Sequence, residues 1–377
     1  MTKITVPNIF SYATKELSQD AFLCWLFSFS EAKYSNGDFS GLNKLAIEIL
    51  QLFSETSYLD IKSIKIEKQK FGIDIWIEIN NQTLIIIENK TASVAGKNQL
   101  DKYYNNAKVK WLTDSSKRLK AVYFKTGLES KNNFERSFKS SVWTHVNIEN
   151  LISIMSNYNA EIDHPFFVDY FCYWYKKVEK YRSFTSLITQ NNLNEHDNDI
   201  IEAFYKKLET DEIISDWQFA NGRGSKQYYA NSYKYYNEAS ERIYLQLDRF
   251  KLKIKFDLAL MDDAKGNAYK KFKKRLRTYD VRDIYNRYYD IFSSSKLLDK
   301  VVAKPKKYSC HNFLTFAIIP ADKWMVFNSN NELDYEKTKI NIKNIQTDVD
   351  KIKKESKKII SDIYENKITG RKSTEII

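Results

Sequence analysis

The chain has 377 residues, of which 43% are hydrophobic and 15% aromatic, a composition that excludes wholesale disorder and allows two domains. Its formal charge of +12 favours polyanionic partners, because neutralising phosphates releases counterions, although lysines coating a solvated surface explain the charge equally well. Cys24, Cys172 and Cys310 are far apart and form no CxxC pair, which argues against a disulfide framework and a zinc site. With no signal peptide and no membrane-spanning apolar run, we expect a soluble, cytoplasmic protein.

The first half of the chain predicts helices and strands in an order set by the period of its apolar residues. Two amphipathic helices come first, three strands follow, and a helix, two strands and two further helices complete the series. The third strand is apolar on both faces, which is typical of a central buried strand. The predicted elements cover residues 11–29, 42–53, 61–66, 73–79, 84–87, 98–109, 119–125 and 142–148, before two helices of which the second spans 166–181.

A polar stretch at residues 189–199 is the best candidate linker, and it predicts domains at 1–188 and 195–377. The second domain is predicted to be α+β and to end in a long amphipathic helix, through which the chain would oligomerise or bind a partner protein. Its predicted elements are a helix at 200–208, strands at 217–236 and 243–257, a basic helix from 270 and the long helix at 342–363.

Burial predicts the register between the second and third strands. A two-residue loop at Asn80-Asn81 would mix charged and apolar residues on both faces of the strand pair. Pairing Ile79 with Thr83, across a three-residue loop or a bulge, instead places Asp74 opposite Glu88. The isoleucines that then share one face are Ile73, Ile75, Ile77, Ile85 and Ile87.

This register predicts a cation site. Cross-strand partners have Cβ atoms about 5 Å apart, so the carboxylates of Asp74 and Glu88 would repel each other unless a cation lay between them. Lys90 follows Glu88 by two residues and therefore faces the same side of the strand. Taken alone, the triplet Glu88-Asn89-Lys90 also fits a strand that emerges into solvent, so the register carries the inference.

These residues resemble the PD-(D/E)XK nuclease superfamily, whose signature is a hairpin with Asp on one strand and Glu-x-Lys ending the next. Here Ile73-Asp74 is followed after thirteen residues by Glu88-Asn89-Lys90, and the Pro before the first Asp is absent. Gln99 and Tyr103 resemble the QxxxY motif of one branch, and Glu16–Leu23 resembles its acidic first helix. The resemblance covers about the first 125 to 180 residues. It implies an α/β (α+β), restriction-endonuclease-like core of order αβββαβ with a mixed central sheet.

The resemblance implies a metal site and a catalytic lysine. Asp74 and Glu88 would bind Mg²⁺ or Mn²⁺, with the backbone carbonyl of Asn89 as a further ligand, because hard cations prefer oxygen. Lys90 would orient or activate the attacking water and stabilise the charge that develops on the phosphate.

Four further residues would support this site. Glu16, or with less support Asp20 one turn later, would approach the metal from the first helix, although a capping or solvated role suits Glu16 as well. Gln99 and Tyr103, four apart on one helix face, would hold the carboxylates or contact phosphate. An ordinary polar helix start is the alternative for that pair.

The sequence therefore predicts a metal-dependent endo- or exonuclease that acts on DNA rather than RNA. By family-level analogy it would serve bacterial defence or DNA processing, with a C-terminal domain that selects substrate, senses a trigger or oligomerises. The alternative is a catalytically silent nucleic-acid-binding or regulatory protein on the same scaffold. The intact Asp-Glu-Lys set argues against that alternative.

Other motifs do not support a different chemistry. The histidines show no ligand or triad spacing and are predicted to be surface or capping residues: His145, His164, His196 and His311. Gly222-Arg223-Gly224 lacks the remaining glycines and the Lys-Ser/Thr of a phosphate loop and predicts a turn. The basic run at 270–277, flanked by Tyr269 and Tyr279, would grip nucleic acid or, with better support, form a solvated helix face.

Overall fold

The computed structural model describes residues 8–11, 16–91, 93–96, 98–131, 134–135, 142–193, 198–214, 217–222, 225–230, 243–257 and 313–368. Within these ranges, side chains are described except at 11, 218–222, 225–230, 243–244, 256–257, 313–316 and 352–368. Several residues singled out in the sequence lie outside the described residues: His196, Arg223, Gly224, the basic run with its flanking aromatics, Cys310 and His311. The chain divides into two compact units, Met1–Arg182 and Ser183–Ile377.

A five-stranded mixed sheet of order β1-β2-β3-β4-β5 forms the centre of the first unit. Its first three strands are antiparallel, and β3, β4 and β5 run parallel. The strands are β1 (Ile64–Lys70), β2 (Ile73–Ile79), β3 (Thr83–Lys90), β4 (Arg118–Lys125) and β5 (Trp143–Asn147). The helices are α1 (Glu16–Phe27), α2 (Ser40–Ser54), α3 (Gln99–Trp111), α4 (Ile148–Ser156) and α5 (Pro165–Arg182). The predicted αβββαβ core is present, with α2 inserted after the first helix.

The β2–β3 hairpin has the register that burial predicted. Ile79 pairs with Thr83 and Ile75 with Ile87 across a three-residue loop. Asn80 and Asn81 have φ of 51° and 52°, in the left-handed region that asparagine tolerates. Continuing this register by one residue beyond the last recorded pair sets Asp74 opposite Glu88.

Side chains of β2 and β3 alternate between two buried cores. One face packs against α1, α2, α4 and α5, and the other packs against α3. The buried length of β3 confirms that it is the central strand. Ile73 is the exception to the predicted face, because it packs in the core on the α3 side. It directly follows a turn in which Phe71 and Gly72 have positive φ, so the strict alternation does not extend to it.

The first predicted strand was placed too early. The sequence predicted residues 61–66, but β1 spans Ile64–Lys70. The preceding backbone is held by the side chain of Asn80, whose Oδ1 accepts hydrogen bonds from the Lys62 and Ser63 amides at 2.9 and 3.0 Å. A side chain from the next hairpin thus replaces strand pairing there.

The second unit combines an antiparallel sheet of order β10-β9-β8, a separate β6–β7 hairpin and helices. Its strands are β6 (Trp217–Gly222), β7 (Ser225–Ala230), β8 (Ile243–Asp248), β9 (Lys251–Asp257) and β10 (Phe313–Ile319). Its helices are α6 (Phe184–Leu187), α7 (Asn198–Thr210) and α8 (Tyr335–Ile368). The predicted long C-terminal helix is confirmed, and Ile342, Ile345 and Val349 are buried.

One prediction for the second unit is corrected. Residues 243–257 form a hairpin instead of one strand, with Arg249 at φ 54° in the turn, and β10 was not predicted. The candidate linker begins inside this unit, because Thr189 pairs with Glu332 and the Leu333 amide donates to the Ile188 carbonyl at 3.0 Å.

No helix in the described part of the chain is long and apolar enough to cross a membrane.

Candidate active site

The side chain of Lys90 lies among three carboxylates at the carboxyl end of β3. Its Nζ is 2.6 Å from Glu88 Oε1 and 3.8 Å from both Asp74 Oδ2 and Glu16 Oε2. Glu88 is 1% exposed and Lys90 8%. Between them, the Asn89 amide donates to Asp74 Oδ2 at 2.9 Å, and the Asn89 carbonyl accepts from Lys90 Nζ at 3.1 Å. The four residues predicted from the hairpin therefore meet at one place.

The two acidic residues of α1 have different surroundings. Glu16 begins the helix, and its Oε1 accepts hydrogen bonds from the Thr91 amide at 3.2 Å and Ser93 Oγ at 2.6 Å. Asp20 is fully buried and accepts from the Asn89 side-chain amide at 3.0 Å. Because Asn89 faces away from its two neighbours on the strand, Asp20 lies on the opposite side of β3 from Lys90. The structure places Glu16 beside Lys90.

The start of α3 holds Glu88. The side-chain amide of Gln99 donates to Glu88 Oε1 at 2.7 Å and to the Tyr103 hydroxyl at 3.1 Å. The Gln99 oxygen accepts from the Gly96 amide at 2.8 Å, which fixes the orientation of the side chain. In the structure, Gln99 binds the Glu88 carboxylate directly, and this contact is one of the two roles that were predicted for the pair.

Four residues at the site escaped the sequence analysis. The side-chain amide of Gln69 donates to Asp74 Oδ1 at 3.0 Å. Lys125 is 2% exposed, and its Nζ donates to the carbonyls of Thr91 at 2.7 Å and Ser93 at 2.6 Å. A signal for Lys125 was available, because a charged residue ends the apolar strand β4 in register with Lys90. No local pattern marks Gln69, Thr91 or Ser93.

Burial shifts the proton affinities of these groups. Burial, together with the negative charge of Asp74, raises the pKa of Glu88 to about 8 although Lys90 opposes the shift. Burial alone would lower the pKa of Lys90, but the attraction of Glu88 outweighs it and the pKa is raised. Burial also raises the pKa of Asp20 to about 6, against the hydrogen bond from Asn89. Carboxyl groups that are this difficult to ionise favour a cation close by.

A family model described as the PD-(D/E)XK nuclease superfamily matches residues 7–174. The first unit of this chain belongs to that superfamily. No curated protein and no solved structure matches the chain. The matched range contains the whole mixed sheet and the site, so the predicted family and its restriction-endonuclease-like core are confirmed. Membership of the PD-(D/E)XK superfamily implies nuclease activity in general and makes nucleic acid the substrate class.

The donor set fits the divalent metals that PD-(D/E)XK nucleases generally use. Within the described residues, Glu88 Oε2 is buried and has no hydrogen-bond partner, so one carboxylate oxygen is left for a ligand. No group of three His, Cys, Asp or Glu side chains suited to a metal ion occurs in the same part of the chain. Two carboxylates and the Asn89 carbonyl suit an ion such as Mg²⁺, which keeps several of its waters.

The remaining described candidates have structural positions. His145 is exposed, and His164 Nδ1 accepts a hydrogen bond from the Phe166 amide at 3.3 Å in the first turn of α5. These positions agree with the predicted surface and capping roles. Cys24 and Cys172 are free thiols.

Proposed function

We propose that the first unit is a divalent-metal-dependent nuclease that hydrolyses phosphodiester bonds in DNA. The observation that carries the proposal is the placement of the Lys90 ammonium 2.6 Å from Glu88, beside a buried carboxylate oxygen that has no partner among the described residues. A bound divalent cation, an ammonium donor and carboxylate oxygens, brought together at the carboxyl end of β3, are the groups that phosphodiester hydrolysis needs. We favour DNA over RNA, and bacterial defence or DNA processing as the setting, by superfamily analogy.

In this proposal, three residues of the hairpin hold Mg²⁺ or Mn²⁺. Asp74 and Glu88 contribute carboxylate oxygens and Asn89 its backbone carbonyl, while Glu16 approaches from α1. The bound ion supplies a more acidic water and neutralises charge on the phosphate. Gln99 keeps the Glu88 carboxylate in one orientation through its 2.7 Å hydrogen bond and is therefore a positioning residue, supported by Tyr103.

Lys90 acts on the reacting atoms in this proposal. The N–H groups of its ammonium would donate hydrogen bonds into the space beside Glu88 and Asp74, where the scissile phosphate would bind. There it orients the attacking water and stabilises the negative charge that grows on the phosphate oxygens in the transition state. Low exposure of the ammonium strengthens this interaction, because little solvent screens the charge.

The test is incubation of the purified full chain with single-stranded, linear duplex and circular DNA, and with RNA. Each substrate is combined with Mg²⁺, Mn²⁺ or EDTA. We expect cleavage of DNA with either metal and none in EDTA, and cutting of circular DNA identifies an endonuclease. If no nucleic acid is cut although a metal raises the melting temperature, the silent nucleic-acid-binding alternative replaces this proposal.

A further inference from the structure

The turn between β1 and β2 carries an exposed aromatic ring beside the candidate site. Gln69, Phe71 and Gly72 have φ of 55°, 56° and 83°, and Phe71 is 47% exposed. A bulky side chain in the left-handed region is unfavourable, and Asn or Gly would fit that backbone better. Strain of this kind concentrates where proteins contact ligands.

Two contacts fix this turn against the site. Gln69 donates its 3.0 Å hydrogen bond to Asp74, a proposed metal ligand. Gly72 lies against Tyr103, since a Cβ at this glycine would be 3.5 Å from Cε1 of the tyrosine ring. The position of the Phe71 ring is therefore tied to the residues that surround Glu88.

Positive charge accompanies the ring. Lys110 Nζ is 4.1 Å from the centroid of Phe71, and Lys70 Nζ is 5.8 Å from it. Lys110 is exposed and forms no salt bridge with the described residues, whereas Lys70 is paired with carboxylates. Lys110 follows Tyr103 by seven residues on the same face of α3, and the helical rise places it about 16 Å along the axis from Gln99. One face of α3 therefore extends from Gln99, which contacts Glu88, to Lys110, which contacts Phe71.

We propose that Phe71 and Lys110 form a stacking site for an unpaired nucleobase of the substrate strand, on the α3 side of the candidate site. The inference rests on the proposed nuclease function and adds the substrate class, which is nucleic acid with a single-stranded segment near the cleaved position. Every base has a face that stacks on an aromatic ring, and Lys110 on its flexible stem contacts the adjoining phosphate. Bases within a continuous duplex are already stacked on each other and do not offer that face.

Binding of fluorescent oligonucleotides tests the inference. Anisotropy compares a short oligothymidylate with an abasic strand of the same length in Ca²⁺, and a gel checks that both stay intact. We expect the full-length protein to bind the oligothymidylate about tenfold more tightly, as one stacked base provides. Phe71→Asn should bring this ratio to about one with an unchanged or higher melting temperature, because Asn tolerates the left-handed backbone. Phe71→Tyr should keep the ratio.

A matched control uses an exposed aromatic residue outside the site. Phe166→Ala removes a ring that is 50% exposed on the same unit and should leave the ratio unchanged. The inference is overturned if Phe71→Asn keeps the tenfold ratio, or if the wild-type protein binds both strands equally. Metal-dependent cleavage that persists in the second case leaves the proposed nuclease intact. A wild-type protein that cleaves no nucleic acid with any metal overturns the proposed function itself.

Discussion

Around Lys90, a positive charge and a divalent cation would share the same carboxylate groups. Glu88 is held by the Lys90 ammonium at 2.6 Å and by Gln99 at 2.7 Å, both on Oε1, which leaves Oε2 for another ligand. Asp74 receives hydrogen bonds from Gln69 and the Asn89 amide, one on each oxygen. The carboxylates thus supply negative charge, whereas Lys90 supplies a donor that is not a metal ligand. Substitution should separate these roles.

Lys90→Ala should abolish most cleavage while the protein still binds metal. Loss of a group that stabilises transition-state charge typically costs about 3–4 kcal/mol, or roughly a hundred- to a thousand-fold in rate. The rise in melting temperature with Mn²⁺ should remain or increase, because a competing positive charge is gone. Asp74→Asn should lose both the rise in melting temperature with Mn²⁺ and the nuclease activity. Cleavage by Lys90→Ala at the wild-type rate would show that Glu88-Asn89-Lys90 is an ordinary strand end.

Without metal, the protein should become less stable as pH rises from about 4.5 to about 8. The pKa of Glu88 is about 8 in the folded protein and 4.5 ordinarily, so the folded state binds more protons across this window. The free energy of unfolding then falls with rising pH. Asp20, with a pKa raised from 3.8 to about 6, adds the same trend at lower pH.

Thermal unfolding in EDTA across this pH range measures the effect. Glu88→Gln should flatten the decline above pH 6, while Asp20→Asn should flatten it only below that value. A decline of equal slope in wild type and Glu88→Gln above pH 6 would contradict the assignment to Glu88.

At the level of elements, the ends of β3 and β4 are locked together next to the site. Lys125 donates to the carbonyls of Thr91 and Ser93, and the same two residues donate from their amide and hydroxyl to Glu16. A Cβ at Gly127 would lie 2.4 Å from the Thr91 carbonyl oxygen. The approach of the two backbones therefore requires glycine at this position.

Gly127→Ala should lower both the melting temperature and the nuclease activity. The new methyl group meets a backbone oxygen that cannot give way without moving Thr91, and overpacking of this kind typically costs about 1–3 kcal/mol. Gly41→Ala is the control for position, because its Cβ meets Cγ1 of the buried Ile162 side chain at 2.9 Å, away from Lys90, and should lower the melting temperature without reducing cleavage. Thermal unfolding and cleavage assays compare the two. Equal effects of the two substitutions would contradict a special role for the Gly127 contact.

Elements that are formed by contacts between residues close in the sequence were predictable, whereas elements that depend on distant residues were not. The β2–β3 register was predictable, because alternating isoleucines and the pair Asn80-Asn81 specify it locally. The start of β1 depends instead on the Asn80 side chain, seventeen and eighteen residues from the amides that it binds. Likewise, Gln69 and Ser93 reach the site through turns and loops, whose composition does not indicate their partners.

At the scale of the molecule, the chain comprises two units of which the first carries the superfamily match and the candidate site. The predicted boundary, domains at 1–188 and 195–377, stays a prediction. The start of the polar stretch is ordered by its own hydrogen bonds, since the Thr189 amide donates to Asn192 Oδ1 at 2.8 Å. We therefore do not expect a protease to cut first between Thr189 and Asn192.

Limited proteolysis should cut first between Asn192 and Asp199 and leave two resistant fragments. Compact units resist proteases, and polar connecting segments are cleaved preferentially. A denaturing gel with mass spectrometry of the fragments locates the cut. Initial cleavage elsewhere, or digestion without stable fragments, would contradict the two-domain prediction.

Lys90 also gives the fold a tethered counterion. Because an ammonium already lies 2.6 Å from Glu88 and 3.8 Å from Asp74, these two carboxylates do not need a dissolved ion to balance their negative charge during folding. Such a domain differs from zinc fingers, which unfold when a chelator removes their metal. A chelator should therefore abolish cleavage without unfolding the protein, and adding the metal ion back should restore cleavage without a refolding step. Metal availability would then act on this protein as a reversible control of catalysis.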